Sequence, residues 1–354
     1  MIGTLSRQKR ERSKQKRNKM SRITVFLRGG LGNQMFQYAL GFNLAKKNNA
    51  DLVLDTTFLN DRFPRKEFTY RAFDLDVFTL SPSQVSSDEI WEGKPRFSTL
   101  SKISEKLPIP GVWLGLDLVF MIVKKIFGAT KIIKEKKNHI FDPEVLSAKG
   151  NIILWGRWQC EKYFSDIAPD IRKEFCFKEK LSGSPSQISS DETWEGEAVK
   201  IAQEIESTNS ISIHVRRGDY VKFENMKKIA GETDVSYYTR AISYIAERVI
   251  SPNFFVFSDD IPWCRENLWF DATHHKKIPP AVTFLDEKTA GSKNSYHLEL
   301  MSLCKHNIIA NSTFSWWGAW LNKNPQKIVI APKRWYAGED FDMVNVVPQE
   351  WVRI

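Results

Sequence analysis

Cysteine is scarce in this chain of 354 residues, and the few cysteines present form no recognisable pattern. They are Cys160, Cys176, Cys264 and Cys304. None belongs to a CxxC pair, so the sequence indicates neither a thiolate zinc site nor a disulfide framework. We therefore expect reduced thiols and a cytoplasmic protein.

Long hydrophobic runs are missing as well. The apolar run at residues 23–27 is too short for the core of a signal peptide, and the run at 112–123 is too short to span a membrane. Lysines follow the second run closely, so an element lying on a membrane surface is an alternative to the buried helix that we favour. A cytoplasmic protein in peripheral contact with the inner face of a membrane is therefore an alternative location.

Acidic residues are nearly absent from residues 1–22, which carry nine Lys or Arg and a single Glu. This segment supplies +8 of the formal net charge of +10, so the rest of the chain is close to neutral. It contains no apolar run, and we predict a disordered, dispensable tail. Contact with anionic lipid is the second interpretation and nucleic acid the third, so no nucleic-acid partner is predicted.

A glycine-rich turn at residues 28–34 lacks the residues of two common nucleotide-binding loops. It lies between strand patterns at 23–27 and 51–55, with a helical pattern after it, which predicts a βαβ unit. Met35 stands where a dinucleotide fingerprint needs its third glycine, and no Gly-Lys-Ser/Thr of a Walker loop follows. Two interpretations remain: a tight turn capped by Asn33, or a backbone that closely approaches a ligand. In the second, the contacts would come from Gly30, Gly32, Asn33 and Gln34.

Polar groups gather at the end of a predicted strand in the second half of the chain. Residues 210–215 alternate between apolar and polar, and the pattern stops at Arg216. The polar residues at this end are His214, Arg216, Arg217 and Asp219. Ligands of parallel α/β sheets bind at the carboxyl ends of strands, and adjacent arginines pair well with phosphate oxygens, so we interpret this turn as a phosphate site. The alternative is a surface Arg–Asp ion pair in which Gly218 serves the turn.

Strand and helix patterns alternate from about residue 205 to 345, which predicts a doubly wound parallel sheet. The hydroxyls of Ser312, Thr313 and Ser315 follow one strand and predict an anion site at a helix start, unless Ser312 or Thr313 simply caps the helix. Asp259 and Asp260 follow another strand. Asp260 either caps a helix or accepts hydrogen bonds from a ribose or base, and a metal site is disfavoured because no further acidic residues cluster nearby. Three tryptophans share helix faces and are predicted to pack in the core: Trp316, Trp317 and Trp320.

Four motifs in this order and spacing resemble the α-1,2-fucosyltransferases of glycosyltransferase family 11: GGLGNQMFQYA, HVRRGDY, FSDD and NSTFSWWGAWL. The resemblance extends from Ile23 to about Trp335 and implies an α/β fold that is GT-B-like, with two Rossmann-like domains facing a central cleft. Together with the charge and the strand–helix alternation, this predicts a basic tail at 1–22, an acceptor-side domain at 23–204, a GDP-sugar-binding domain at 205–345 and a C-terminal extension at 346–354.

The resemblance also implies the reaction. It is an inverting transfer of L-fucose from GDP-β-L-fucose to the 2-hydroxyl of a galactose-type acceptor, on an oligosaccharide or surface polysaccharide, without a metal or other cofactor. The alternatives are a fucosyltransferase that forms another linkage or acts on protein, and a non-catalytic protein that binds a nucleotide sugar or a glycan.

Individual residues take roles from the resemblance. Arg216 matches the arginine that contacts the diphosphate, with His214 and Arg217 beside it. Asn33 matches an asparagine in the glycine loop of the related protein O-fucosyltransferases, which faces the donor sugar. The motif hydroxyls match a serine-rich phosphate loop and are Ser312, Thr313 and Ser315.

The catalytic base is the least specified part of the site. Asp219 lies three residues after Arg216, close enough in the turn to act as the base, or instead to organise the arginines if one of them holds it. Glu224 is the rival, at a spacing from His214 similar to that of the catalytic glutamate in core α-1,6-fucosyltransferases, although the family 11 pattern carries no glutamate there. His214 is a weaker third candidate.

Overall fold

The computed structural model describes residues 21–60, 69–81, 84–86, 131–136, 140–181, 194–218, 234–268, 281–286, 289–335 and 345–354. The predictions for the basic tail, for residues 112–123, and for Asp219 and Glu224 lie outside the described residues. Within the described residues, no helix has the length and hydropathy needed to cross a membrane.

The N-terminal half contains a five-stranded sheet in which all strand pairs are parallel. Its strands are β1 (Arg22–Phe26), β2 (Asp51–Asp55), β3 (Gln84–Ser86), β4 (Lys131–Lys134) and β5 (Ile152–Trp155). Their order across the sheet is β3-β2-β1-β5-β4. The order reverses between β1 and β5, so a crevice opens at the carboxyl ends of these two neighbours.

Helix α1 (Leu31–Asn48) connects β1 to β2. It is buried over most of its circumference, because the sheet covers one side and a helix of the C-terminal half covers another. It ends at Asn49 in the left-handed conformation, with Lys46 and Lys47 in the last turn. A left-handed residue releases the chain from the helix, and cations suit the negative end of its dipole. The described residues of this half also form two shorter helices, α2 (Thr57–Asn60) and α3 (Ala168–Glu174).

The C-terminal half contains a six-stranded parallel sheet. Its strands are β6 (Asn209–Val215), β7 (Pro252–Ser258), β8 (Ala281–Leu285), β9 (His306–Ile308), β10 (Val329–Ala331) and β11 (Val352–Arg353). The order β11-β10-β9-β6-β7-β8 is that of a dinucleotide-binding Rossmann sheet, with its reversal between β6 and β9. The predicted α/β class with two parallel, Rossmann-like sheets is confirmed, and it corresponds to the GT-B-like architecture.

Helices α4 (Trp194–Ser207), α5 (Val235–Ala246), α6 (Ile261–Asn267), α7 (Ser295–Leu303) and α8 (Thr313–Leu321) belong to this half. Asp234 caps α5 as the sequence predicts, with its Oδ1 accepting from the backbone N–H of Tyr237 at 2.9 Å. The domain boundary predicted between 204 and 205 falls inside α4, which packs in one core with Phe255 and Phe257 of the C-terminal sheet. Residues 346–354, predicted as an extension, supply the sheet's edge strand β11.

The two halves share a core through helix α8. Trp316, Trp317 and Trp320 are buried, which confirms the predicted core packing. They pack against aromatic rings of the N-terminal half, and Trp317 lies 4.9 Å from Phe36 and 5.3 Å from Phe164 between ring centroids. Each buried aromatic side chain removes a large apolar area from water, so these contacts hold the two sheets in a fixed relation.

A glycine allows a close approach between the halves. A Cβ added to Gly32 of α1 would lie 2.5 Å from the carbonyl carbon of Thr313, at the start of α8. The indole Nε1 of Trp317 donates to the carbonyl of Gly32 at 3.0 Å. The start of α1 and the start of α8 are therefore in direct contact, so a group bound at one helix start also lies beside the other.

Candidate functional site

The site is built at the reversal point of the C-terminal sheet. Strands β6 and β9 are neighbours there. The chain passes from β6 to β7 on one side and from β9 to β10 on the other, so the two connections diverge from this point of the sheet. Arg216 and Arg217 follow β6, while Ser312 follows β9 and precedes α8. The structure thus brings the predicted arginine turn and the predicted serine-rich loop to the same crevice.

Asp259 organises the turn that carries the arginines. Its Oδ2 lies 2.7 Å from Nη1 of Arg216, and its Oδ1 accepts from the backbone N–H of Arg217 at 2.8 Å. A Cβ on Gly218 would lie 2.5 Å from the same carboxylate, so a larger residue there would displace the Asp259 side chain. The Arg–Asp ion pair considered from the sequence is present, but its acid follows β7. It fixes the direction of a guanidinium that stays partly exposed at the crevice.

Arg217 is held in the same way by the next acid. Its Nε lies 3.0 Å from Oδ2 of Asp260, and its guanidinium carbon lies 4.1 Å from the ring centroid of Trp263. Oδ1 of Asp260 accepts from the backbone N–H of Trp263 at 3.1 Å, so the predicted cap of α6 is confirmed. A donor-binding role for Asp260 stays a prediction, because its carboxylate already serves both the cap and Arg217.

His214 is buried beneath the arginines at the end of β6. Burial lowers the pKa of His214 far below its usual range, and the positive charge of Arg216 lowers it further while Asp259 opposes the change. The imidazole is therefore neutral at pH 7. Its ring centroid lies 5.9 Å from that of Phe314, and its Nδ1 has no hydrogen-bond partner among the described residues. A neutral imidazole can donate or accept a hydrogen bond beside the start of α8.

The serine-rich loop presents two hydroxyl residues and buries the third. Ser312 is the N-cap of α8, yet its side chain makes no capping hydrogen bond, so the simple-cap alternative is wrong for Ser312. Ser312 and Thr313 are partly exposed. Ser315 is buried and its Oγ donates to the carbonyl of Ser312 at 3.2 Å, which places it behind the loop. Backbone N–H groups at such a helix start, with the positive end of the dipole, form a favourable anion site.

The glycine loop faces this crevice from the N-terminal half. Helix α1 begins at Leu31 with Gly30 as its N-cap, so the alternative in which Asn33 caps the helix is wrong. Asn33 lies in the first turn instead, where its Oδ1 accepts a hydrogen bond from Gln159. Gly29 has a φ of +80°, and a Cβ there would meet the amide of Asn33 at 2.6 Å. The loop conformation therefore depends on glycine at this position.

Gln34 shapes the loop from the inside. It is fully buried, and its amide nitrogen donates to the carbonyls of Gly29 at 2.9 Å and Ala72 at 2.8 Å. Its Oε1 accepts from the backbone N–H of Asp74 at 3.0 Å. The side chain thus ties the glycine loop to residues 72–74, and a direct contact between this amide and a ligand stays a prediction.

Two polar residues near the loop were not found from the sequence. Gln159 contacts Asn33, and Asp74 accepts a hydrogen bond from the backbone N–H of Leu31. Burial raises the pKa of Asp74 to about 6, against the lowering effects of Lys293 and Arg71. Both residues lie in segments without a periodic pattern, and a lone polar residue in such a segment is too weak a signal to identify.

No group of three or more His, Cys, Asp or Glu side chains in the described part of the chain is arranged to hold a metal ion. Asp259 and Asp260 instead face the two arginines. Metal independence itself stays a prediction, because it concerns turnover.

Comparison with known proteins identifies the family. The sequence profile of Glycosyl transferase family 11 matches residues 157–354. An alpha-1,2-colitosyltransferase of Escherichia coli is 33% identical over 337 residues, covering 95% of this chain and 99% of the relative. The chain belongs to glycosyltransferase family 11. It is thus an enzyme that transfers a glycosyl group, and the resemblance seen in the motifs is confirmed.

Other relatives extend the comparison. The O-antigen biosynthesis glycosyltransferase WbnK of Escherichia coli is 29% identical over 340 residues, covering 93% of this chain and 99% of that protein. The rat galactoside alpha-(1,2)-fucosyltransferase 1 is 27% identical over 301 residues, covering 84% of this chain and 63% of that protein. Among solved structures, the fucosyltransferase NodZ from Bradyrhizobium matches with a TM-score of 0.44 and 13% identity, over 85% of this chain and 91% of that one.

Proposed function

We propose that this enzyme moves L-fucose from GDP-β-L-fucose to the 2-hydroxyl of a galactose-type acceptor, with inversion at the transferred carbon. The observation that carries the proposal is the meeting of Arg216, the start of α8 and the glycine loop at one crevice. The names of the family 11 relatives, which include galactoside α-1,2-fucosyltransferases, support the choice of sugar and linkage.

The donor diphosphate binds between the arginine turn and the start of α8. Breaking the glycosidic bond places negative charge on the departing GDP, and each fixed donor aimed at that charge contributes about 3 kcal/mol. Arg216 is such a donor because Asp259 fixes its guanidinium at 2.7 Å. Ser312 and Thr313 add hydroxyls and backbone N–H groups. The two arginines supply the positive charge that a divalent metal supplies in other glycosyltransferases, so no cofactor is needed.

The acceptor enters from the N-terminal half. Asn33 faces the donor sugar from the first turn of α1, with Gln159 holding its amide. Asp219 accepts the proton of the attacking hydroxyl, or organises the arginines, and Glu224 is its rival as the base. The enzyme acts in the cytoplasm on an oligosaccharide or surface polysaccharide. Peripheral contact with the inner face of the membrane is compatible with this location.

A second donor is favoured by one specific observation. The colitosyltransferase is 33% identical to this chain, above the 27% of the rat fucosyltransferase. Colitose is fucose without its 3-hydroxyl, so the two GDP-sugars differ at one position of the ring and share everything that the arginine turn binds. The second candidate is therefore an α-1,2-colitosyltransferase. A fucosyltransferase of another linkage or on protein is the broader alternative.

The decisive experiment pairs GDP-fucose and GDP-colitose with a panel of galactosides, followed by linkage and anomeric analysis of the products. We expect an α-1,2-linked product from GDP-fucose, at the same rate with and without EDTA. If only GDP-colitose supported transfer, the donor would be GDP-colitose and not GDP-fucose. Turnover that EDTA abolishes and magnesium or manganese restores would place a metal at Asp259 and Asp260. A protein that binds GDP and transfers no sugar would be a non-catalytic binding protein.

A further inference from the structure

One lysine of the C-terminal half reaches the N-terminal half. Lys293 lies between β8 and α7, and its ammonium donates to the carbonyl of Phe73 at 2.6 Å and to Oδ1 of Asp76. We call these three residues the Lys293 clasp. Strand β8 runs parallel to β6 and β7, so the loop that carries Lys293 leaves the C-terminal sheet at the edge of the arginine turn. The clasp therefore connects that edge to a segment that lies between α2 and β3.

The segment that Lys293 holds also holds the glycine loop. The amide nitrogen of Gln34, in the first turn of α1, donates to the carbonyl of Ala72 at 2.8 Å. Its Oε1 accepts from the backbone N–H of Asp74 at 3.0 Å. The carboxylate of Asp74 in turn accepts from the backbone N–H of Leu31, the first residue of α1. Three hydrogen bonds therefore connect this segment to the start of α1, and the clasp holds the same segment from the other half.

The loop that presents Lys293 has an unfavourable backbone conformation. Lys293 and Asn294 are both left-handed, with φ angles of +55° and +60°. Left-handed backbone is costly for a residue with a Cβ, and it persists only where neighbouring contacts hold it. The backbone N–H of Asn294 donates to the carbonyl of Gly291 at 3.2 Å, and that of Tyr296 donates to the carbonyl of Ala290 at 3.1 Å. Lys293 is therefore presented from a loop whose shape is fixed.

The clasp contributes little to the stability of the fold. The side chain of Lys293 is 28% exposed and that of Asp76 is 50% exposed. Ion pairs with this much exposure to water contribute little free energy to folding. The buried tryptophans of α8 already hold the two sheets together. What the clasp adds is the position of one segment, and with it the position of the glycine loop.

We propose that Lys293 is a positioning residue for the transfer reaction, which places the glycine loop against the donor sugar through residues 72–76. This inference rests on the proposed function, in which Asn33 of that loop faces the sugar. The nucleotide diphosphate binds elsewhere, at the arginine turn and the start of α8, and the described hydrogen bonds of Lys293 involve neither. Small errors in the placement of a reacting group lower the rate strongly. Loss of the clasp should therefore reduce turnover and leave nucleotide binding intact.

Kinetics of Lys293→Met, which removes the ammonium and keeps an unbranched side chain, test the inference. With GDP-fucose and a β-galactosyl disaccharide, kcat should fall by about tenfold or more. The Kd for GDP, measured by calorimetry, and the KM for GDP-fucose should stay within about twofold of the wild type. Lys46→Met is the control, because it removes a similar ion pair, with Asp170 at 2.6 Å, at the other end of α1. It should change neither kcat nor KM, and both variants should unfold at similar temperatures.

Hydrogen–deuterium exchange of the enzyme without substrate tests the placement of the loop directly. In Lys293→Met the backbone N–H groups of residues 29–34 and 72–76 should exchange about two- to tenfold faster, as expected for the loss of a hydrogen bond that holds them. Strand β6 and helix α8 should keep their rates. Lys293→Arg keeps the charge and the donors, and should restore both exchange and kcat. Unchanged exchange at residues 29–34, or an equal increase along the whole chain, would overturn the inference.

Exchange and turnover together separate this inference from the proposed function. If exchange responds as expected but the wild type transfers neither fucose nor colitose, the proposed function fails, while the placement of the glycine loop by Lys293 stands. If the wild type transfers the sugar and Lys293→Met does so with the same kcat, the proposed function stands and the positioning role of Lys293 fails.

Discussion

The two crevices of this enzyme are built alike but differ in what their carboxylate oxygens hold. At each, a carboxylate after a neighbouring strand accepts backbone N–H groups of the turn that carries an arginine: Asp259 for Arg217, and Glu135 for Arg157. At the C-terminal crevice every arginine of the turn also has its own acid, Asp259 or Asp260. At the N-terminal crevice the oxygens of Glu135 accept from the backbone N–H groups of two successive residues, Arg157 at 2.7 Å and Trp158 at 3.1 Å.

The difference reflects what each crevice must do. Paired arginines keep a fixed direction before a ligand arrives, which suits a diphosphate whose charge increases during the reaction. The guanidinium groups whose direction is fixed in advance thus lie at the C-terminal sheet.

The largest effect is expected from Arg216→Ala. Losing one charge-stabilising donor should lower kcat by about a hundredfold or more while the protein stays folded. Arg248→Ala is the control, because Arg248 also pairs with an acid, Glu247 at 3.1 Å, and also lies over a ring, that of Tyr244, but far along the chain from either crevice. Steady-state kinetics and thermal unfolding of both variants check this. Near-normal turnover in Arg216→Ala would show that the guanidinium has a structural role and does not stabilise the reaction.

Asp219→Asn should also reduce transfer by about a hundredfold or more, because Asn cannot accept the acceptor's proton. Asp259 and Asp260 already hold both arginines, so GDP binding, measured by calorimetry, should persist in this variant. Glu224→Gln is the comparison and should remain active. Loss of GDP binding along with activity would identify Asp219 as an organiser of the arginines, and the reverse pattern of activities would place the base on Glu224.

Gly32→Ala tests the contact that makes the two crevices face each other. The added Cβ would lie 2.5 Å from the backbone of Thr313, which cannot move aside without shifting α8. Such overpacking typically costs about 1 to 3 kcal/mol, and we expect a lower unfolding temperature together with a raised KM for the GDP-sugar. Gly30→Ala is the control for stability, because its nearest neighbour, Arg71, lies at an ordinary 3.9 Å. Equal unfolding temperatures in the two variants would contradict the close contact.

Much of the C-terminal crevice could be predicted from the sequence, because its parts lie in periodic segments. Alternation ending at Arg216 placed the arginines at a strand end, and the hydroxyls before a tryptophan-rich helix placed the anion site. Helical spacing also indicated that Trp317 is buried. It could not indicate that Trp317 packs against Phe36 of the other half, because apolar spacing identifies a buried face without naming its partner.

The N-terminal crevice could not be predicted, for a related reason. Arg28 and Arg157 are far apart along the chain and meet only because β5, rather than β4, lies next to β1. Strand order is decided by packing across the whole sheet, and no local pattern encodes it. Asn33 shows on a smaller scale that a local pattern can mislead. Asparagine is a residue type that often caps helices, but this helix begins earlier, at Leu31.

The smallest effect concerns acid stability, and it again separates the halves. The described histidines, His214, His297 and His306, all lie in the C-terminal half with a lowered pKa. Burial lowers the pKa of His297 to about 4, although Asp286 opposes the change. The unfolded chain therefore binds a proton at His297 below about pH 6.5 while the folded protein does not, so stability is lost as the pH falls from 6.5 toward 4.

His297→Gln should reduce that loss. Between pH 7 and pH 5 the free energy of unfolding of the wild type should fall by about 1 to 2 kcal/mol more than that of the variant. Denaturant titrations at several pH values measure the slope, which the loss of the hydrogen bond between His297 and Thr289 does not affect. Asp74, whose raised pKa acts in the opposite direction in this range, contributes equally to both proteins and cancels. Parallel stability curves would mean that His297 binds a proton as readily in the folded enzyme as in the unfolded chain, and acid sensitivity would then have to be sought elsewhere in the chain.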